Sequence, residues 1–283
     1  MAAQNLVNTK AELISALVQR ELLNTASLLP FLRDLSGMAI KGAKSISVPK
    51  LSSFAVSDRA FGAQGTETAA LTDSVDTLLL DKNKYILFGY DSHDEMQSSI
   101  NYLMESIKRA SSAHGRQINA DVITEWEAVG GLNVNAGVPA DITTSDILDM
   151  REFLIENFAD MSTASLIIAA DQEKAMLKLA EFSRYDYRGN GASPIVSGQI
   201  GSVYGVPVVI NQQVKAQQAF MVAPEGSAFA FQKQPSVAED TDLRYGTGGK
   251  QIAVDCLYGV KGMLLGEGSA AAGKSPMVAQ LIN

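Results

Sequence analysis

The chain has 283 residues, 46% of them hydrophobic, and one cysteine, Cys256. Folding at this length buries roughly three quarters of the unfolded surface, so no metal or disulfide staple is needed. A lone cysteine also excludes a disulfide framework and any cysteine-rich zinc or iron–sulfur site. The net charge of −8 argues against a general nucleic-acid binder. That charge is unevenly placed. Residues 1–50 hold six basic and three acidic groups; against 23 and 31 in the whole chain, this leaves 17 basic and 28 acidic groups for the rest. A basic arm of +3 precedes a body of −11.

Glu12, Gln19, Arg20 and Glu21 interrupt the apolar positions near the N-terminus, so the pattern of a secretory signal is missing. No uninterrupted apolar stretch of about 18 residues exists, and no membrane span is expected. The cysteine usage fits a reducing compartment. Leu13, Ile14, Leu17, Val18, Leu22 and Leu23 recur at helical spacing, and Pro30 and Gly37 end that pattern. So short an amphipathic arm must dock on its own body or on another subunit.

Residues 45–90 are strand-like, with Val48, Val56, Val75, Leu78, Leu80 and the run Tyr85 to Phe88. The small polar stretch Phe61 to Thr68 divides them, which reads as a long hairpin. Ser92 and Glu95 stand at capping-box spacing before Met96, Ile100, Leu103, Met104 and Ile107, predicting a helix that Gly115 interrupts. Ile118 to Val129, with Trp126, predicts a second helix.

Beyond residue 130, Gly130-Gly131 and the run to Pro139 predict a loop, and Thr143 with Asp146 a helix cap. Ser165 to Ala170 reads as a buried strand and Asp171 to Phe182 as a helix. Gly189-Asn190-Gly191 and Pro194 mark a loop. Strands are predicted at Val203 to Ile210, Ala219 to Ala223, Phe229 to Phe231 and Ile252 to Leu265. This uneven order predicts an α+β fold rather than a regular βαβ repeat.

The order of parts resembles the major capsid (coat) proteins of tailed bacteriophages, with their Hong Kong-type capsid fold. The resemblance runs from about Lys10 to Leu265. It rests on the helical arm, the Ile46–Tyr90 hairpin, the Asp94–Ala113 helix and the segment Thr143 to Arg151. The run Gly198-Gln199-Ile200-Gly201-Ser202-Val203-Tyr204-Gly205-Val206-Pro207-Val208-Val209 and the closing Tyr258-Gly259-Val260-Lys261-Gly262-Met263 complete it. What it implies is an N-terminal arm over 1–45 and an extended hairpin (E-loop) over 46–90. A peripheral domain with a spine helix follows over 91–140, then an axial domain over 141–250. Residues 251–283 become a return strand to the peripheral domain and a C-terminal tail.

The implied function is a capsid protein that self-assembles as hexamers and pentamers into an icosahedral shell enclosing phage DNA. The implied location is the virion, with assembly in the host cytoplasm. No scaffold-like charged helical extension precedes the arm, so the partners expected are a separate scaffolding protein (or prior proteolysis) and a portal. The double-stranded DNA is expected to be enclosed without sequence-specific binding. Some relatives crosslink subunits through a Lys–Asn isopeptide, but Lys50, Lys82 and Lys84 do not align to that motif. An encapsulin-type bacterial compartment is the alternative within the same fold.

Several motifs point elsewhere and carry less. Gly268 to Ser275 satisfies the phosphate-loop pattern G-x-x-x-x-G-K-[ST], with Lys274 as its lysine, and Gly266, Gly268 and Ala271 satisfy G-x-G-x-x-A. Both patterns need a following helix whose amides face the phosphates. Pro276 and the end of the chain at Asn283 leave no room for one, so a flexible tail is expected and a phosphate-loop NTPase disfavoured. His93 and His114 lie far from Cys256 in sequence and give no dyad signal; Cys256 reads as a small core residue. Glu239-Asp240-Thr241-Asp242 with Arg244 could bind calcium, but lacks the EF-hand spacing. A solvated strand edge, or an ion pair to a neighbouring subunit, is favoured. The basic arm meets either acidic surface on a neighbour or DNA, and with six basic groups over 50 residues the protein contact is favoured. No catalytic residue, cofactor or metal ligand is assigned, and the protein is expected not to be an enzyme.

Overall fold

A computed structural model describes residues 18, 28–51, 58–59, 61–62, 73–91, 102–134, 141–179, 201–242, 244, 249–263 and 273–282. Within them run twelve strands and three α-helices: β1 (Arg33–Asp34), β2 (Ser45–Leu51), β3 (Asp73–Leu79), β4 (Lys82–Tyr90), α1 (Tyr102–Val129), β5 (Gly130–Val134), α2 (Thr144–Glu156), β6 (Ser165–Ile168), α3 (Ala170–Lys178), β7 (Ser202–Val203), β8 (Val206–Ile210), β9 (Ala219–Val222), β10 (Ser227–Thr241), β11 (Lys250–Gly262) and β12 (Ser275–Leu281). They form a four-stranded sheet β1-β10-β11-β4, a six-stranded sheet β5-β12-β9-β6-β8-β7 and the two-stranded ribbon β2-β3. The mixture is α+β, as the sequence predicts.

Helix α1 joins the two larger sheets. Ile118, Val122, Ile123 and Trp126 point into one apolar cluster with Phe220, Val222 and Val278 of the six-stranded sheet and Phe229, Tyr258 and Val260 of the four-stranded one. Trp126 is fully buried, its ring 5.7 Å from that of Phe220 and its indole N–H donating to Ser227 Oγ at 3.0 Å. A buried tryptophan with a satisfied N–H contributes both packing area and a fixed orientation. The chain leaves β9 for β10 through a 3₁₀ turn at Pro224–Gly226, where the Ala223 N–H bonds the Met277 carbonyl and the Met263 N–H bonds the Gly226 carbonyl.

The expected helix break at Gly115 does not occur, because α1 is continuous over 28 residues. Gly115 is buried, one turn from buried Ser111 and Asn119. A helical glycine costs about 1 kcal/mol against alanine, far less than a long buried face returns. The Ser92–Glu95 cap lies outside the described residues. The Thr143–Asp146 cap is present as a reciprocal capping box.

Four further expectations are corrected. Among the described residues the hairpin's paired strands are β2 and β3, in register from Ser45 opposite Leu79 to Leu51 opposite Asp73. Residues 82–90 instead pair with β11, so they belong to the four-stranded sheet. Phe229 to Phe231 is a fragment of a 15-residue strand, β10, whose outer half is polar and held by pairing to β11. The run Val203 to Ile210 is broken by a tight turn at Tyr204-Gly205 into β7 and β8.

The fourth correction is the largest. Ser275–Leu281 is no flexible tail: β12 is buried at every position and lies between β5 and β9. Among the described residues the six-stranded lobe draws on 130–134, 141–179, 201–222 and 275–281, whereas β10, inside the expected axial range, sits in the other sheet. Of the arm, buried Val18 packs with Ile107, Ala110, Ile252 and Val254, and its carbonyl accepts from Ser111 Oγ at 2.7 Å. Leu28, Leu29 and Leu32 enter the main core. The buried apolar residues of the described arm, Val18, Leu28, Leu29, Leu32 and Leu35, therefore pack on the chain's own body.

Candidate assembly surface

The β2-β3 ribbon is fixed firmly at one end. Ile46, Val48, Leu78 and Leu80 pack with Leu35, Ala228, Ala230 and Met263, and the Leu80 N–H closes the base on the Lys44 carbonyl at 2.9 Å. Lys261 lies 3.7 Å from Asp76, tying β11 to β3. The glycines of the Tyr258-Gly259-Val260-Lys261-Gly262 run now have a physical reason. A Cβ on Gly259 would stand 2.1 Å from the Leu79 carbonyl oxygen, and one on Gly262 2.2 Å from Val129. Those contacts seat the ribbon and the end of α1 directly on the backbone of β11. The ribbon exposes Val75 along its length and Leu79 at its base, and Phe61, between β2 and β3 in sequence, is fully exposed.

The six-stranded lobe displays two further features. Helix α2 ends with the Phe158 N–H on the Ile155 carbonyl and the Ala159 N–H on the Leu154 carbonyl, the Schellman pattern. The left-handed position of that motif, usually glycine, is Phe158 at φ 60°, with 73% of its surface exposed. On β7–β8 the two turn residues are Tyr204 at φ 49° and Gly205 at φ 83°, as a type I′ turn demands. Tyr204 is 45% exposed. Each aromatic residue in the left-handed region costs on the order of 1–3 kcal/mol, and neither recovers it by burial.

The residues singled out for chemistry are placed as follows. His114 and Cys256, 142 positions apart, meet in the core with Nδ1 and Sγ 3.6 Å apart, a pairing that sequence distance conceals. His114 Nε2 lies 3.2 Å from the Val254 carbonyl, which can only accept. The imidazole proton therefore sits on Nε2, and Nδ1 accepts from the thiol. Burial lowers the His114 pKa from its ordinary 6.5. Burial, reinforced by the charge of Asp255, pushes the Cys256 thiol up to about 11. Both groups are neutral at pH 7, so the pair holds β11 against α1 and supplies no thiolate. Beside it the Tyr258 hydroxyl donates to Asp121 at 2.7 Å, and burial with that bond raises the Tyr258 pKa.

His93 lies outside the described residues. Among the described residues no cluster of three or more histidine, cysteine or acidic side chains is placed to hold a metal. The acidic run at 239–242 meets partners within the chain: Glu239 pairs with Lys250, and Asp242 with Arg244 at 2.6 Å. Lys82 stands 4.0 Å from Asp121; Lys50 lies on β2 and Lys84 on β4. Lys274 donates to the Ala128 carbonyl at 2.9 Å, and the chain then enters β12. A phosphate loop needs a helix at that point. A buried strand cannot supply one.

Sequence and structure comparisons decide the family. A family model described as "Phage capsid protein" matches residues 38–235. The chain belongs to the phage capsid protein family. Solved structures share its fold at low identity. One titled "Mycobacterium phage Che8" is 18% identical with a TM-score of 0.70, over 87% of this chain and 86% of that one. Another, "Capsid structure of the Cyanophage P-SCSP1u", is 11% identical with a TM-score of 0.68, over 89% and 86%. A "virus-like particle from Pyrococcus furiosus" is 13% identical with a TM-score of 0.58, over 96% and 99%. No curated protein sequence matches this chain. The fold alone therefore covers more than one kind of shell, and the family match selects the phage capsid. The capsid protein is a structural subunit of the virion, and copies of it build the shell.

Proposed function

We propose that the capsid protein assembles as hexamers and pentamers that close into an icosahedral shell around packaged double-stranded DNA. The β2-β3 ribbon then lies across an adjacent subunit. The observation that carries this reading is the ribbon itself, seated on β11 through Gly259 and the Lys261–Asp76 pair while Val75, Leu79 and Phe61 remain exposed. Among the described residues the ribbon reaches its own core through Ile46, Val48, Leu78 and Leu80. Laid on a neighbour, it gives one more contact for symmetry to repeat.

The net charge of −8 supports a shell lining that encloses DNA without gripping it. A separate scaffolding protein and a portal, with assembly in the host cytoplasm, complete the proposal. Deleting residues 60–68 tests the ribbon: the subunit should stay soluble and folded by circular dichroism while closed shells vanish from electron micrographs. Wild-type shell yield from that deletion would sink the reading. Nuclease-treated wild-type particles should retain DNA of packaged length, and particles filled with a protein cargo instead would exclude the phage assignment.

A further inference from the structure

The four-stranded sheet treats its two edges differently. At one, β1 covers Ala228 and Phe229 of β10, and beyond it β10 shifts register twice against β11, with Pro235 inside the second shift. A covering strand, broken register and proline are the usual protections of an edge. At the other edge β4 pairs with β11 without a shift, from Lys82 opposite Tyr258 to Tyr90 opposite Lys250, and contains no proline. Among the described residues no strand meets its outer side, so alternate N–H and C=O groups there point outward. Ile86 and Phe88 pack beside Ile107, Ala110, Ile252 and Val254 on the α1 side, while Tyr85 and Leu87 lie exposed on the other face. A cleft of about 330 Å³ opens between residues 83–86 and Ala113, His114 and Gln117 of α1. No residue of β11 lines it, so it lies on the outer side of β4.

We propose that β4 of one copy pairs antiparallel with β4 of a second copy, across a two-fold axis at Ile86, and so joins neighbouring rings of the shell. This rests on the reading that pentamers and hexamers close into a shell. Such a shell needs contacts between rings as well as within them, and a contact on a two-fold axis must be self-complementary. β4 meets that demand. Centred on Ile86, the pairing sets Tyr85 against Leu87 twice on the exposed face. On the α1 side it sets Ile86 against Ile86, flanked by Lys84 against Phe88. An aromatic beside an aliphatic side chain, and a lysine stem along a ring, are favourable cross-strand contacts. Asp81, Lys82, Lys84 and Asp91 sum to zero, and the two aspartates fall opposite one another only beyond the ends of the paired strands. Arg116 and Asp121, which flank Gln117 on α1, also cancel. The second copy's Ile86 enters the cleft. From one β11 to the other is three strand spacings, roughly 14 Å. Helix α1 packs chiefly on β11, and neighbouring helices need about 8–10 Å, so both helices fit side by side.

Cysteine variants in assembled particles read the register directly, because cross-strand partners lie within disulfide reach and the native Cys256 is buried. Ile86→Cys should give disulfide-linked dimers from that single substitution. Tyr85→Cys and Leu87→Cys should each give few dimers alone, and particles assembled from a mixture of the two roughly fivefold more. Charge tests the same contact at exposed positions. Tyr85→Lys with Leu87→Lys should lower particle yield about tenfold while the melting temperature of the unassembled subunit stays within about two degrees. Tyr85→Lys with Leu87→Glu should return yield to within about twofold of wild type, since each lysine then faces a glutamate. Mixed particles no richer in dimers than the single variants, wild-type yield from the double lysine variant, or equal yields from the two charge variants would overturn the pairing. Cross-links from Ile86→Cys to a different protein would overturn it as well. Wild-type particles lacking five- or sixfold rings would overturn the reading beneath it, whereas ringed particles without the Ile86→Cys dimer would remove only this inference.

Discussion

The two large sheets bury themselves differently. In the six-stranded sheet β6, β9 and β12 are buried at every position, because one face meets α2 and α3 and the other meets the α1 core. In the four-stranded sheet the outer part of β11 alternates, with Ile252, Val254 and Cys256 buried and Gln251, Ala253, Asp255 and Leu257 half-exposed. Edge strand β4 turns Tyr85 and Leu87 to the surface, Tyr85 at 72% exposure. A sheet covered on both faces writes itself as continuous apolar runs; one covered on a single face alternates. The first sheet is a closed core, and the second keeps a face free.

Matched substitutions in the two sheets would break or sharpen that contrast. The largest effect is expected from Val278→Asp, which places a carboxylate between two apolar layers with no partner in reach. Burying an unpaired charge costs several kcal/mol, so most of the subunit should become insoluble on expression. Soluble protein with wild-type melting would show that β12 is not the closed strand described.

Tyr258→Phe acts at the junction between the four-stranded sheet and α1. It leaves the Asp121 carboxylate without its hydroxyl donor and should cost about 1–3 kcal/mol by chemical denaturation. The His114–Cys256 pair at the same junction predicts a pH effect. The folded-state pKa of His114 lies below 6.5, so the unfolded chain binds a proton first as pH falls. Its contribution to stability is thus lost from about pH 6.5 down to the depressed folded value. His114→Asn should flatten the stability profile in that window, measured as melting temperature against pH, and an unchanged slope would rule the histidine out as its source. The smallest effect belongs to the free face. Leu87→Asp should change subunit stability by only about 0.5 kcal/mol, and a loss as large as that of Val278→Asp would mean the face is covered.

The same contrast explains which elements are legible in the sequence. Ser165 to Ile168 and Ala219 to Val222 are short unbroken apolar runs and are read correctly as strands. β12 carries the same kind of run, Met277-Val278-Ala279, but a phosphate-loop pattern and Pro276 stand before it. Proline is tolerated there because regular pairing with β5 lapses between Ser275 and Ala279, and pairing with β9 starts at Val278. That accommodation is a property of neighbouring strands. Gly115 misleads for a related reason: the penalty is local, and the compensating burial is not.

The sequence by itself determined the α+β class, the Thr143 cap, the hairpin's existence and a capsid family resemblance. Periodicity, capping spacing and the order of parts are local or linear properties. The tertiary structure alone decided that the last strand is internal, that Gly259 and Gly262 mark seats on β11, that His114 meets Cys256, and that Phe158 and Tyr204 are held out in left-handed backbone. Each of these depends on atoms brought together from distant positions or on a backbone angle that the residue type disfavours. Side-chain periodicity records neither.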